Sequence, residues 1–422
     1  MLLALACVGT LATCSAQAAE RPSPGSITGF AFDACTAPSQ ADMDAWRASS
    51  PFWGVGVYIG GANRRCDQPN LDNTWVVTQI RRGWRVLPLW VGPQAACATR
   101  QFAELVDAAP DHGYAAARRQ GVREANRAVD AAQSLGFAKH TTLWFDMENF
   151  DLGQSNDCRR SALSLLSAWT RRLHHLGFAS GVYGQTAIWA LDYADKVSSG
   201  SYAQPDQIWY AAGGRATTWI RHSRVRAGSW SPHRRIHQYR FNQWATYGGV
   251  SLYIDRSFMD VGRGSVAPAP RRTCGVRVDF ARYRRLGPGA RGDQVEAAQC
   301  LLRQHGFASG RITGRFDRPT VRATRAFQRS RQLAVTGTMT PESWTALLSA
   351  GASPVLKRGS ASDAVRRVQR ALNAAAGSGL DVTGVFDAAT TTAVSRYQKS
   401  LGMVTTGVVA ADTWDQLHAG AR

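Results

Sequence analysis

The sequence predicts an α/β protein: a (β/α)8 TIM-like barrel followed by two small three-helix α-helical repeats. Three observations predict it. Eight apolar, strand-like runs alternate with helical segments over about the first 235 residues after Ser26. A stretch rich in Pro, Ala and Arg, Ser265-Val-Ala-Pro-Ala-Pro-Arg-Arg-Thr273, then interrupts the pattern. Beyond it the chain repeats itself at a constant offset of 70 residues.

The strands expected are Ile27–Asp33, Gly54–Ile59, Val86–Val91, Thr142–Met147, Ala179–Tyr183, Gln207–Ala211, Ile236–Tyr239 and Leu252–Asp255. Helical spacing is clearest at Tyr114–Leu135 and Arg159–Leu176. A doubly wound sheet is the alternative arrangement, but no GxGxxG turn supports it. The divisions expected are a signal peptide at 1–19, a barrel at 26–262, a linker at 263–280, and repeats at 281–350 and 351–420.

Residues 1–19 are apolar and end in small side chains, as the core and cleavage site of a secretory signal do, and are too short for a transmembrane helix. Cys7 and Cys14 fall inside that segment. The remaining six, Cys35, Cys66, Cys97, Cys158, Cys274 and Cys300, are an even number in an exported chain and predict three disulfides. Cys274 and Cys300 are expected to pair; the other four leave three pairings open. No CxxC or HxxxH spacing points to a metal, and no cofactor is expected. The histidines carry no ligand spacing and read as structural or surface residues.

The formal net charge is +20, almost all of it arginine. Outside the cell this fits attraction to an anionic wall polymer or simply a solvated surface, and nucleic acid is not the expected partner. Neither stable membrane insertion nor an oligomer is expected.

In the repeats, Leu286-Gly-Pro-Gly aligns with Leu356-Lys-Arg-Gly, Thr313-Gly-Arg-Phe-Asp317 with Thr383-Gly-Val-Phe-Asp387, Phe327-Gln328 with Tyr397-Gln398, and Trp344 with Trp414. Val295, Gln299 and Leu302 have helical spacing, and Thr340-Pro341 suits an N-cap and first-turn proline. Phe316, Phe386, Trp344 and Trp414 read as core.

In the run Thr142–Met147, alternation puts Leu143, Phe145 and Met147 on one face and Trp144, Asp146 and Glu148 on the other. Two adjacent acids beside a tryptophan are costly to hold, and suit glycosidic cleavage, where one protonates the leaving oxygen and the other supports the cationic sugar. In a barrel the catalytic rim lies at the C-terminal strand ends, which brings Asp33 and Asp255 to the same place. Trp90, Tyr183, Trp209 and Gln238 stand at other strand ends and are expected to bind the sugar.

The repeat pattern resembles the peptidoglycan-binding domain of bacterial wall hydrolases, twice over. The motifs Gly29-Phe-Ala-Phe-Asp-Ala-Cys35, Gly56-Val-Tyr-Ile-Gly-Gly-Ala-Asn63, Trp144-Phe-Asp-Met-Glu148, Ser180-Gly-Val-Tyr-Gly184, His237-Gln-Tyr239 and Ile254-Asp255 resemble a glycoside-hydrolase-like domain-of-unknown-function family, itself similar to the family 25 muramidases. Asp33 is followed by Ala-Cys where those muramidases have Val-Ser, a departure that bears on substrate and turnover. The resemblance implies a secreted or wall-associated protein whose partner is peptidoglycan or another wall polysaccharide. In it Glu148 is the general acid, its carboxyl raised by Asp146 and partial burial. Asp146 stabilises the developing charge or orients an assisting acetamide, and Asp33 and Asp255 tune both. A non-catalytic wall binder is the alternative.

Overall fold

The computed structural model describes residues 21–197, 202–270, 274–307 and 310–422. The segment read as a signal, with Cys7 and Cys14, lies outside the described residues, as do 271–273 of the expected linker.

Eight strands close into one barrel in sequence order. They run β1 (Ile27–Asp33), α1 (Gln40–Ser49), β2 (Phe52–Gly60), α2 (Asn73–Arg81), β3 (Arg85–Trp90), α3 (Ala115–Ser134), β4 (Thr142–Asp146), α4 (Asn156–His175), β5 (Ala179–Tyr183), α5 (Thr186–Val197), β6 (Gln207–Ala211), β7 (Arg234–Tyr247) and β8 (Val250–Val261). Neighbours from β1 to β7 are parallel. The strand β8 is antiparallel to both β7 and β1.

This differs from a regular (β/α)8 repeat, and the reason is local. Gly248 and Gly249 both take positive φ, 59° and 80°, and turn β7 straight back into β8 as a two-residue hairpin. The last strand is therefore longer than expected from Leu252–Asp255 and runs downward through the barrel. Asp255 still reaches the rim, opposite Asp33, because β8 passes the rim on its way in.

Side-chain alternation builds two cores. Outward residues such as Val55, Val57 and Phe145 join helix residues such as Trp169 in the larger one. The inward set fills the barrel: Ile27, Ala31, Leu87, Leu89, Trp144, Trp209, Ile236, Met259 and Val261. Glycines make room for it. A Cβ at Gly54 would lie 2.5 Å from that of Ala31, and one at Gly181 2.4 Å from the Trp144 ring.

The helices after the barrel are α6 (Asp293–Gln304), α7 (Arg318–Ser330), α8 (Pro341–Ser349), α9 (Asp363–Ala376), α10 (Ala388–Ser400) and α11 (Ala411–His418). They form two three-helix units with one continuous apolar core, in which Phe316, Phe386, Trp344 and Trp414 are buried. The Gln and Thr-Gly pairs that recur in both repeats explain one another. Gln299 donates to Arg315 O at 2.9 Å and accepts from Gly314 N at 3.1 Å; Gln369 does the same with Val385 O and Gly384 N. Gln328 and Gln398 clasp the turns at Gly337 and Gly407 in like manner. Each buried amide thus satisfies a turn's backbone, which a smaller side chain would leave unpaired.

Three disulfides form: Cys35–Cys66, Cys97–Cys158 and Cys274–Cys300. The first joins the loops after β1 and β2, and the second joins the loop after β3 to the start of α4. Both brace the rim that carries the acids.

Candidate active site

Strand parity places one inward residue from each of six strands on one rim. Asp33 on β1, Tyr58 on β2, Asp146 on β4, Tyr183 on β5, Gln238 on β7 and Asp255 on β8 meet there. Beneath them Trp144 and Trp209 pack edge to face, 5.7 Å between ring centroids, and seal the barrel against water. The acids consequently sit over an apolar floor.

Gln238 ties the cluster together. Its Nε2 donates to Asp33 Oδ2 at 3.1 Å and Asp255 Oδ2 at 3.1 Å, while its Oε1 accepts from the Tyr183 hydroxyl at 2.8 Å. Asp255 Oδ1 also accepts from the backbone N–H of Asn242. Burial, then the charge of Asp255, pushes the Asp33 carboxyl well above the usual range, with Gln238 and Tyr58 hydrogen bonds opposing. Asp255 is raised by burial and lowered by its Asn242 hydrogen bond. Burial followed by the nearby carboxylates also raises the phenols of Tyr58 and Tyr183.

Asp146 is buried, and its Oδ1 has no hydrogen-bond partner among the described residues. Burial, then Glu148, then Asp33 raise its carboxyl well above the usual value, and Arg100 opposes them. Glu148 sits above it, partly exposed, and its carboxylate is paired with the guanidinium of Arg100. Asp146 is the member of the pair held inside the barrel. Gln94, fully buried, fixes the pair's backbone: Nε2 donates to Asp146 O at 2.7 Å and Oε1 accepts from Glu148 N at 2.7 Å.

Glu148, Asn149, Tyr183, Gly184, Gln185, the Ala211–Gly213 segment and Phe241 line a cleft of about 300 Å³ above the acids. Of the expected sugar-binding residues, Tyr183 lines it, and Gln238 lies buried beneath, bonded to Tyr183 and the acids. Trp90 points the other way: β3 turns Leu89 inward, so Trp90 packs against α3 and donates to Glu124 Oε2 at 2.8 Å. Trp209 faces inward but one layer down, fully buried behind Tyr183 and donating to Ser257 Oγ at 3.0 Å. Neither can touch a ligand. Tyr58 was legible from the inward parity of Gly54 and Gly56; Gln94 and Arg100 lie on a loop with no sequence signal. No group of three or more metal-ligating side chains occurs among the described residues.

A model of the Rv2525c-like, glycoside hydrolase-like domain matches residues 44–259, and one of the peptidoglycan binding domain matches 291–347 and 361–417. No curated relative matches the sequence. Among the solved structures similar to it are the following three. The Tat-secreted protein Rv2525c of Mycobacterium tuberculosis, with L-tartrate, is 13% identical over 55% of this chain and 95% of its own, TM-score 0.37. An uncharacterised B. stearothermophilus protein is 17% identical over 55% and 95%, TM-score 0.33. A family 25 glycosyl hydrolase of Bacillus anthracis is 14% identical over 56% and 91%, TM-score 0.32. Since the first model matches more than half of its residues, the chain belongs to the Rv2525c-like, glycoside hydrolase-like family, here joined to two peptidoglycan binding domains.

Proposed function

We propose that the chain is an exported, wall-bound glycoside hydrolase that cleaves the β-1,4 glycan backbone of peptidoglycan. The observation that carries this is the buried Asp146 beneath Glu148 at the floor of an open cleft, since a carboxyl desolvated over tryptophan keeps its proton well above the usual carboxylate range. The proton held on Asp146 passes to Glu148, the member that reaches the cleft, and from there to the glycosidic oxygen as the C1–O bond breaks. Asp146, ionised at that moment, faces the positive charge developing at C1, and water then adds there and returns a proton to Glu148. Asp33, Asp255 and Gln238 hold the hydrogen bonds that keep the inner carboxyls in place.

Glu148 can donate only after Arg100 swings away. That ion pair is the observation favouring the second reading, a barrel that binds wall glycan without cutting it. Purified sacculi separate the two. Wild-type protein is expected to release new reducing ends, and Glu148→Gln to lose at least about a hundredfold of that rate while still sedimenting with the sacculi. No release by either protein would leave the binding reading. Product analysis then identifies the bond, and a product lacking a free muramyl reducing end would indicate a different linkage or polysaccharide.

A further inference from the structure

On the face of the barrel opposite the acids, the second repeat closes over the first residues of β1, β2 and β3. It leaves a cleft of about 350 Å³ bounded by Ile27, Trp53, Ser265 and Gly359. The wall of that cleft carries four arginines, Arg47, Arg82, Arg85 and Arg263. They come from the last turn of α1, the end of α2, the start of β3 and the segment after β8, so folding alone gathers them.

Arg82 is paired with Asp44. Among the described residues no carboxylate pairs with the other three. Arg47 uses its Nε on the carbonyl of Arg82 at 2.8 Å, which leaves its two terminal nitrogens for the cleft. The guanidinium of Arg85 lies over Gly25, and its charged neighbour is another cation, Arg21. Burial first, then Arg21, pushes Arg85 below the usual arginine value, and burial does the same to Arg47. Partly desolvated like charges around one cavity repel each other, and an anion between them removes that cost.

We infer that this cleft is an oxyanion site, taking a phosphate group either free or carried on an anionic wall polymer. Each guanidinium offers roughly five N–H donors in a rigid fork, and one planar carboxylate satisfies one fork. A tetrahedral phosphate presents oxygens to all three at once. The cleft has the barrel on one side and the loop Gly359–Ala361 of the second repeat on the other, so the bound group bridges the two. It lies away from Glu148 and holds whether or not the barrel cuts glycan.

The test is the melting temperature of the full mature chain in sodium phosphate against sodium chloride at matched ionic strength. A saturable rise specific to phosphate is expected. Arg85→Gln with Arg263→Gln should weaken it by about tenfold or more, whereas Arg322→Gln with Arg329→Gln, the same charge loss on the exposed face of α7, should leave it unchanged. Arg263 is exposed, so Arg263→Gln alone carries the comparison should the double variant fold poorly. A poly(glycerol phosphate) chain that binds more tightly than phosphate and competes with it identifies a polymer as the source. Binding of inorganic phosphate alone identifies the free ion. Equal stabilisation by chloride, or unchanged phosphate binding in the Arg263 variants, would overturn the inference.

Discussion

Asp146 shows how one side chain links fold stability to chemistry. Its carboxyl is held protonated by burial, then by Glu148 and Asp33, well above the pH at which an unfolded aspartate ionises, near 3.9. The folded chain therefore binds more protons than the unfolded one across that window, so this contribution to stability falls as pH rises. Asp33 acts with the same sign. Asp146→Asn removes the ionisation, and is expected to raise stability at neutral pH by about 1 kcal/mol while flattening its pH dependence. Thermal unfolding at pH 5 and pH 8 reads both effects; a variant as pH-sensitive as the wild type would assign the slope elsewhere.

At the scale of elements, the β7–β8 hairpin is the part of the barrel that departs most from a regular repeat. Its outer side packs on α1, where Trp46 donates to Val250 O at 3.1 Å and meets the Tyr247 ring. Its inner side continues the inward face of β8: Tyr253 stands two residues beyond Asp255 and opposite Trp244, with ring centroids 5.4 Å apart. Trp244 is 70% exposed and Phe241 lines the cleft, so an aromatic surface extends from the acids outward. A sugar ring one or two units from the scissile bond would stack on it. Trp244→Ala is expected to weaken binding of long glycan fragments about tenfold and leave binding of the shortest ones unchanged, as measured by titration calorimetry. An equal loss on both would place Trp244 outside the glycan's path.

The whole molecule is held in register by Lys357 and Arg358, which stand where the first repeat has Gly287 and Pro288. Lys357 is fully buried under the barrel, donating to Arg47 O at 2.8 Å and Ser50 O at 3.0 Å, with its ammonium 4.5 Å from the Trp53 ring centroid. Arg358 lies over Phe30 and Phe258. The two repeats are therefore unequal: the second is the dock. Lys357→Glu would aim an acid at two carbonyls in a desolvated pocket, at a cost of about 3–5 kcal/mol. Calorimetry is expected to show one transition for the wild type and two for the variant, and a variant that still melts as one unit would show that the dock rests on other contacts.

Much of this was legible in the chain itself. Period-two alternation placed Asp33, Asp146 and Asp255 on one rim, because each lies inward on its own strand and a barrel closes those faces together, and Glu148 follows two residues past the end of β4. The 70-residue repeat declared two helical units, because a clasped Gln and Thr-Gly turn must recur wherever the unit does. What tertiary structure decided was depth and direction. Trp90 and Trp209 look alike at strand ends, yet one faces a helix and the other lies beneath the rim. Asp146 and Glu148 are two residues apart, yet one is sealed over tryptophan and the other meets Arg100 from a distant loop. The pairing of Cys35, Cys66, Cys97 and Cys158 and the Lys357 dock belong to the same class, whereas Cys274–Cys300 was expected from the sequence. Each depends on which distant segments meet, and local alternation carries no record of that.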